Sequence, residues 1–147
     1  MNVLKIKKLK ENAIIPKRAT EGSAGMDLYA CIDSSVVINP GDLVTIPTGI
    51  AIELPSGDFM ANIYARSGLG IKHCICLSNG VGVVDSDYRG EDCVGLCNVS
   101  NKPYTIEPNE RVAQMVIARY EQAKIEVVTE LTETERGAGG FGSTGKV

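Results

Sequence analysis

Apolar and polar positions alternate with a period of two along most of the chain. Ile50, Ile52 and Leu54 fall on one side of an extended segment, and Ala51 and Glu53 on the other. Segments 60–64, 93–100, 111–120 and 125–131 are rich in β-formers, which predicts a strand in each. Turn clusters separate the runs: Asn39-Pro40-Gly41-Asp42, Pro55-Ser56-Gly57-Asp58, Asn101-Lys102-Pro103 and Glu107-Pro108-Asn109. Short strands punctuated at this spacing predict an all-β sandwich or barrel. The one helix expected is a short piece after Arg66, through Leu69 to His73, weakened by Gly68 and Gly70.

A chain of 147 residues is one domain by length. Its composition shifts at Arg136, beyond which Phe141 is almost the only side chain able to bury. The boundaries expected are a β domain over 1–135 and a glycine-rich, flexible tail over 136–147. Two readings of the tail stand side by side. One is a frayed terminus. The other is an anion-binding loop, since arginine, hydroxyls and glycine amides are its usual parts. It is no Walker A loop, because no Gly-Lys-Ser/Thr ending opens a helix.

The net charge of −3 argues against a general nucleic-acid binder, whose affinity rests on a basic surface. A small anionic ligand remains compatible, because a few arginines and amides suffice locally. No apolar run approaches the ~20 residues of a membrane-spanning helix. The first ten residues carry Lys5, Lys7, Lys8 and Lys10 and lack the apolar core of a signal peptide. A cytoplasmic location is therefore expected, with no membrane partner. The five cysteines then read as reduced thiols. Cys74-Ile75-Cys76 lacks the Cys-x-x-Cys spacing of a zinc knuckle, so buried core thiols are expected, Cys74 and Cys76 sharing one strand face.

Three short constellations carry candidate chemistry. Asp85-Ser86-Asp87-Tyr88-Arg89-Gly90 places two carboxylates one residue apart, a pair that could flank a metal or activate water. An acidic hairpin turn would look the same. Arg66-Ser67-Gly68 offers a guanidinium, a hydroxyl and an amide in sequence, a set suited to phosphate. Asp27 lies among small and apolar residues, as a buried turn acid would.

Taken in order, five segments resemble the motifs of the trimeric deoxyuridine triphosphatases (dUTP diphosphatases). They are Ser23-Ala24-Gly25-Met26-Asp27-Leu28-Tyr29-Ala30, Ala65-Arg66-Ser67-Gly68-Leu69-Gly70, Gly82-Val83-Val84-Asp85-Ser86-Asp87-Tyr88-Arg89-Gly90, Glu110-Arg111-Val112-Ala113-Gln114 and the run from Arg136 to Gly145. Each motif alone is weak, whereas five in order across nearly the whole chain are specific. The resemblance implies a jelly-roll-like β-sandwich forming a homotrimer, with three active sites between subunits. It implies Mg²⁺-dependent hydrolysis of dUTP to dUMP and pyrophosphate, which keeps uracil out of DNA and supplies dUMP for dTMP synthesis.

The resemblance also assigns roles. Asp85 matches the residue that activates the attacking water. Tyr88 matches the ring beneath the deoxyribose that excludes a 2′-hydroxyl. Asn79 and Val84 belong to the hairpin that reads uracil. Asp27 matches a residue that reaches Mg²⁺ through water. Arg66, Ser67, Gly68 and Gln114 match contacts to the phosphate chain. In the tail, Arg136, Ser143 and Thr144 match γ-phosphate contacts, and Phe141, followed by Gly142, matches the ring that stacks on uracil as the tail closes. The motifs depart from the usual pattern at Ala65, Gly70 and Asn109, none of them a position with a chemical role. The nearest alternative is a dCTP deaminase on a related fold, which would release ammonia instead of pyrophosphate.

Overall fold

The computed structural model describes residues 2–140. Its elements in chain order are β1 (Lys5–Lys8), β2 (Met26–Tyr29), β3 (Val36–Ile38), β4 (Leu43–Pro47), β5 (Ile50–Glu53), β6 (Phe59–Tyr64), α1 (Ser67–His73), β7 (Ile75–Leu77), β8 (Gly82–Val84), β9 (Cys93–Asn98), β10 (Tyr104–Ile106) and β11 (Arg111–Arg119). The fold is the expected all-β, jelly-roll-like sandwich with one short helix. A four-stranded sheet runs in the order β2-β11-β6-β8, and a three-stranded one in the order β4-β9-β7. Two-stranded pairings β1-β5 and β10-β3 complete it, and every pairing is antiparallel.

Alternation of burial follows the period-two pattern most clearly in β9. Val94, Leu96 and Asn98 turn inward, whereas Cys93, Gly95 and Cys97 lie on the other face. Leu28, Ile38, Ile46, Ile50, Ile75, Ile106 and Met115 meet Val94 and Leu96 in one core. Asn98 sits in that core without penalty, because its amide is fully engaged. Its Nδ2 donates to the Ile38 and Lys102 carbonyls at 2.8 and 2.7 Å, and its Oδ1 accepts from the Ser100 amide and hydroxyl.

Three expectations need correction. Segment 125–131 forms no strand: Ile125, Val127 and Leu131 are almost fully exposed, and no strand of this chain lies beside them. Strand propensity without a pairing edge does not make a strand. Of the thiols, only Cys31 is buried; Cys74, Cys76 and Cys97 are half-buried and Cys93 is exposed. Cys74 is not on a strand face at all. It caps α1 in the left-handed region with φ 55°, its amide donating to the Leu69 carbonyl.

Candidate active site

β8 and the loop after it build the first cavity. Gly80, at φ 72°, turns the chain between β7 and β8, with its amide on the Leu77 carbonyl at 3.1 Å. β8 then pairs with β6, Gly82 against Ile63 and Val84 against Ala61. Gly82 is needed there, since a Cβ would sit 3.0 Å from that of Ile63. The Tyr88 amide closes a turn on the Asp85 carbonyl at 3.2 Å, and its hydroxyl donates to the Glu91 carbonyl at 3.2 Å. Tyr88 lies across Gly90 so closely that any side chain there would collide with its ring. Asn79, Val84, Asp85 and Tyr88 thus line one cavity of about 280 Å³, whose floor includes Leu28, Ile63, Leu77 and Val94. An apolar floor with a few polar groups at the rim suits a nucleoside.

Asp92 also borders this cavity and was missed by sequence reasoning. It is 4% exposed, and neither carboxylate oxygen has a hydrogen-bond partner among the described residues. Burial, with the neighbouring Glu91 charge, pushes its carboxyl up to about 6. Nothing in the acidic run Glu91-Asp92 marks one residue as inward; the parity of β9 does, because Asp92 continues the face of Val94 and Leu96.

The second cavity, about 340 Å³, is lined by Ala19, Ser23, Ala24, Gly25, Asp27, Arg66, Ser67, Arg111 and Gln114. Asp27 on β2 is its hub. Arg66 Nε donates to its Oδ1 at 2.8 Å and Arg111 Nη1 to its Oδ2 at 3.2 Å. Gln114 pairs with Asp27 across β2 and β11, and its Nε2 donates to the Ala65 carbonyl at 3.0 Å. Gly25 is required by close approach, since a Cβ would fall 2.5 Å from Gln114 Oε1. Two guanidiniums, two hydroxyls and a side-chain amide around one space are a set suited to phosphoryl oxygens.

Sequence reasoning had not given Arg111 a role. A β-bulge between Arg111 and Ala113 shifts the register, so Arg111 reaches Asp27 while Gln114, three residues on, faces the same cavity. Asn109, where the family motif has glycine, adopts φ 64°. Asparagine is the side chain that best tolerates this left-handed turn, so the departure preserves the backbone path. Ala65 acts here through its carbonyl, which any residue supplies.

The predicted residues are therefore not brought to one place. Asn79, Val84, Asp85 and Tyr88 line the first cavity, and Asp27, Arg66, Ser67 and Gln114 the second. No residue lines both. Leu28 and Asp27, neighbours on β2, face opposite sides of the strand, the first into one cavity and the second into the other. Gly68, in α1, lines neither cavity. Arg136 donates to the Gly139 carbonyl at 2.9 Å in a local turn of the exposed terminal segment. Phe141, Gly142, Ser143 and Thr144 lie outside the described residues.

A β-sandwich with one nucleoside-sized cavity and a second, guanidinium-lined one has the parts of an enzyme acting on a phosphorylated nucleoside. A dUTPase family model matches residues 11–145. The chain is 52% identical over 132 residues to a deoxyuridine 5′-triphosphate nucleotidohydrolase of Neisseria meningitidis, covering 90% of this chain and 88% of the relative. It is 48% identical over 143 residues to one from Bordetella pertussis, covering 97% and 96%. The dUTPase of Staphylococcus bacteriophage 80alpha, solved with dUPNHPP, superposes with a TM-score of 0.89 at 27% identity, over 99% of both chains. The chain belongs to the dUTPase family and is a hydrolase of dUTP.

Proposed function

We propose that Asp85 activates the water that attacks the α-phosphorus of dUTP, releasing dUMP and pyrophosphate. The observation that carries this reading is the convergence of Asn79, Val84, Asp85 and Tyr88 on one cavity. The uracil and deoxyribose occupy it, the sugar over the Tyr88 ring. Asp85, at its rim, takes the proton of the attacking water as the new phosphorus–oxygen bond forms. Arg66, Ser67, Gly68 and Gln114 bind the phosphate chain. Asp27 engages only Nε of the Arg66 fork, so the outer nitrogens retain donors for phosphoryl oxygens.

Mg²⁺ fits this chemistry as an ion held mainly by the triphosphate and water. Among the described residues no group of three His, Cys, Asp or Glu side chains forms a metal cage. Asp27 already spends an oxygen on each of two arginines, so it would reach Mg²⁺ through a water, the habit of a reluctantly dehydrated ion. When bound, the ion neutralises charge on the phosphoryl oxygens.

The active unit is a homotrimer in this reading. Leu28 and Asp27 turn the two cavities to opposite sides of β2, and in this reading a neighbour's surface completes each site. The tail, residues 136–147 beyond the β domain of 1–135, closes over the nucleotide. Phe141 stacks on uracil, with Gly142 beside it, and Arg136, Ser143 and Thr144 hold the γ-phosphate. A cytoplasmic location agrees with five cysteines that are all free thiols. The partners in this reading are dUTP and two further copies of the chain, with neither nucleic acid nor membrane.

The test combines substrate range with subunit mixing. Purified protein should release pyrophosphate and no ammonia from dUTP, lose activity without Mg²⁺, and leave UTP nearly untouched. Its mass in solution should be three times the 15.7 kDa chain. Asp85→Asn and Arg136→Ala proteins, each nearly inactive, are then unfolded, mixed equally and refolded. If the hairpin and tail of one site come from different chains, activity returns to about a quarter of the unmutated level. Mixed trimers no more active than the separate variants would exclude the shared site.

A further inference from the structure

Cys76 and Cys97 face each other as partners on neighbouring antiparallel strands, β7 and β9. The Val99 amide donates to the Cys74 carbonyl, and the Ser78 amide to the Gly95 carbonyl, each at 3.0 Å. These bonded pairs flank Cys76–Cys97 two residues away on either side. Antiparallel pairs alternate between bonded and non-bonded, so Cys76 and Cys97 are a bonded pair too, with α-carbons about 5.5 Å apart. That separation falls within the range that a disulfide spans. Ile75, Leu77, Leu96 and Asn98 are buried, so both thiols point to the opposite, outer face, where each is half-buried.

The other three thiols lack such a partner. Cys31 is in the core, with its Sγ on Asn12 Oδ1 at 3.4 Å. Cys93 is four residues along β9 from Cys97, roughly 13 Å away. Burial, then the Glu91 and Asp92 charges, push its thiol up, which disfavours the thiolate. Cys74 lies outside β7 as the left-handed cap of α1, with its amide on the Leu69 carbonyl, so the ladder does not set its thiol opposite another.

We propose that Cys76 and Cys97 form a cross-strand dithiol, a modification site that takes disulfide oxidants of the glutathione class. One cysteine thiolate attacks a sulfur of the oxidant, forming a mixed disulfide and releasing one glutathione thiolate. The second cysteine thiolate attacks the protein sulfur of that mixed disulfide, closes the Cys76–Cys97 bond and releases the second glutathione. The two cysteines lose two protons and two electrons, and one glutathione disulfide becomes two glutathiones. The bond ties the start of the Asn79 hairpin to the strand that follows Asp92. Neither thiol is a residue assigned to catalysis, so the chemistry is read without reference to turnover.

The experiment equilibrates the intact, folded protein with glutathione disulfide, traps remaining thiols with an alkylating reagent, and maps peptides without reduction. The expected result is a mass loss of about 2 Da in the unalkylated protein and a linked peptide pair carrying Cys76 and Cys97. A reducing glutathione buffer should restore both thiols. Folded Cys76→Ser and Cys97→Ser proteins should each fail to lose that mass. Stable glutathione adducts on either cysteine in place of the internal bond would overturn the proposal. So would a linked pair involving another cysteine, or full alkylation of both thiols in the unmutated protein after oxidation.

Discussion

Asp27 and Asp92 are both carboxylates drawn out of water, one beside each cavity, and their surroundings are opposite. Asp27 has a guanidinium on each oxygen. Asp92 has no partner on either oxygen and a like charge next to it in sequence. The first arrangement organises cations for a polyanion: Asp27 fixes Arg66 and Arg111 side by side where they would otherwise repel. The second stores unfavourable free energy under the nucleoside cavity. Asp85, at the rim between floor and solvent, is the carboxylate to which the proposed water activation falls. Position relative to cations and water, not residue type, separates the three.

The largest effect should come from Asp85. Asp85→Asn should lower turnover about 10²–10⁴-fold while binding of a non-hydrolysable dUTP analogue stays close to normal. Analogue affinity measured by calorimetry beside steady-state turnover checks both, and near-normal turnover would move the chemistry elsewhere. Asp27→Asn should act on structure and phosphate binding together. It leaves Arg66 and Arg111 without their counter-charge, which costs about 1–3 kcal/mol of stability and weakens the analogue. Urea unfolding at fixed protein concentration, compared with the Arg111→Ala protein, measures the part due to the pair.

Asp92 should act on stability alone, and with the opposite sign. Its carboxyl sits at about 6 in the folded chain against 3.8 for an ordinary aspartate, so the folded state holds the proton more tightly than the unfolded one. The penalty is therefore absent below about pH 4, grows as pH rises towards 6, and is complete above it. Asp92→Asn should raise the melting temperature at pH 8, by a stabilisation of about 1–3 kcal/mol, and change little at pH 4. An equal shift at both pH values would mean that charge burial is not the cause.

Much of this was legible from the residues. Period-two patterning gave β5, β6, β9 and β11, and the weak helix after Arg66 is α1. Residue chemistry alone singled out Asp27, Arg66 and Asp85, and the resemblance of five ordered motifs to the deoxyuridine triphosphatases added Tyr88 and Gln114. Arg111 was not legible in its role, because the bulge before Ala113 breaks the alternation that strand reading relies on. Asp92 was hidden because it stands one residue before the strand expected over 93–100, and only carrying the parity of Val94 and Leu96 back past Cys93 turns it inward. The failed strand over 125–131 has the same lesson in reverse. Its local pattern is good, but a strand exists only where another strand offers its edge.

That segment has a consequence for how the chain is handled after synthesis. Ile125, Val127, Val128 and Leu131 stand in water on an extended stretch free of proline and glycine, the profile of a self-associating β segment. Glu126 and Glu130 are interleaved with them, and Lys124 precedes them. Charges set among such residues act as gatekeepers against stacking of identical segments. Replacing Lys124, Glu126 and Glu130 with apolar residues should therefore raise the fraction of newly made protein that aggregates.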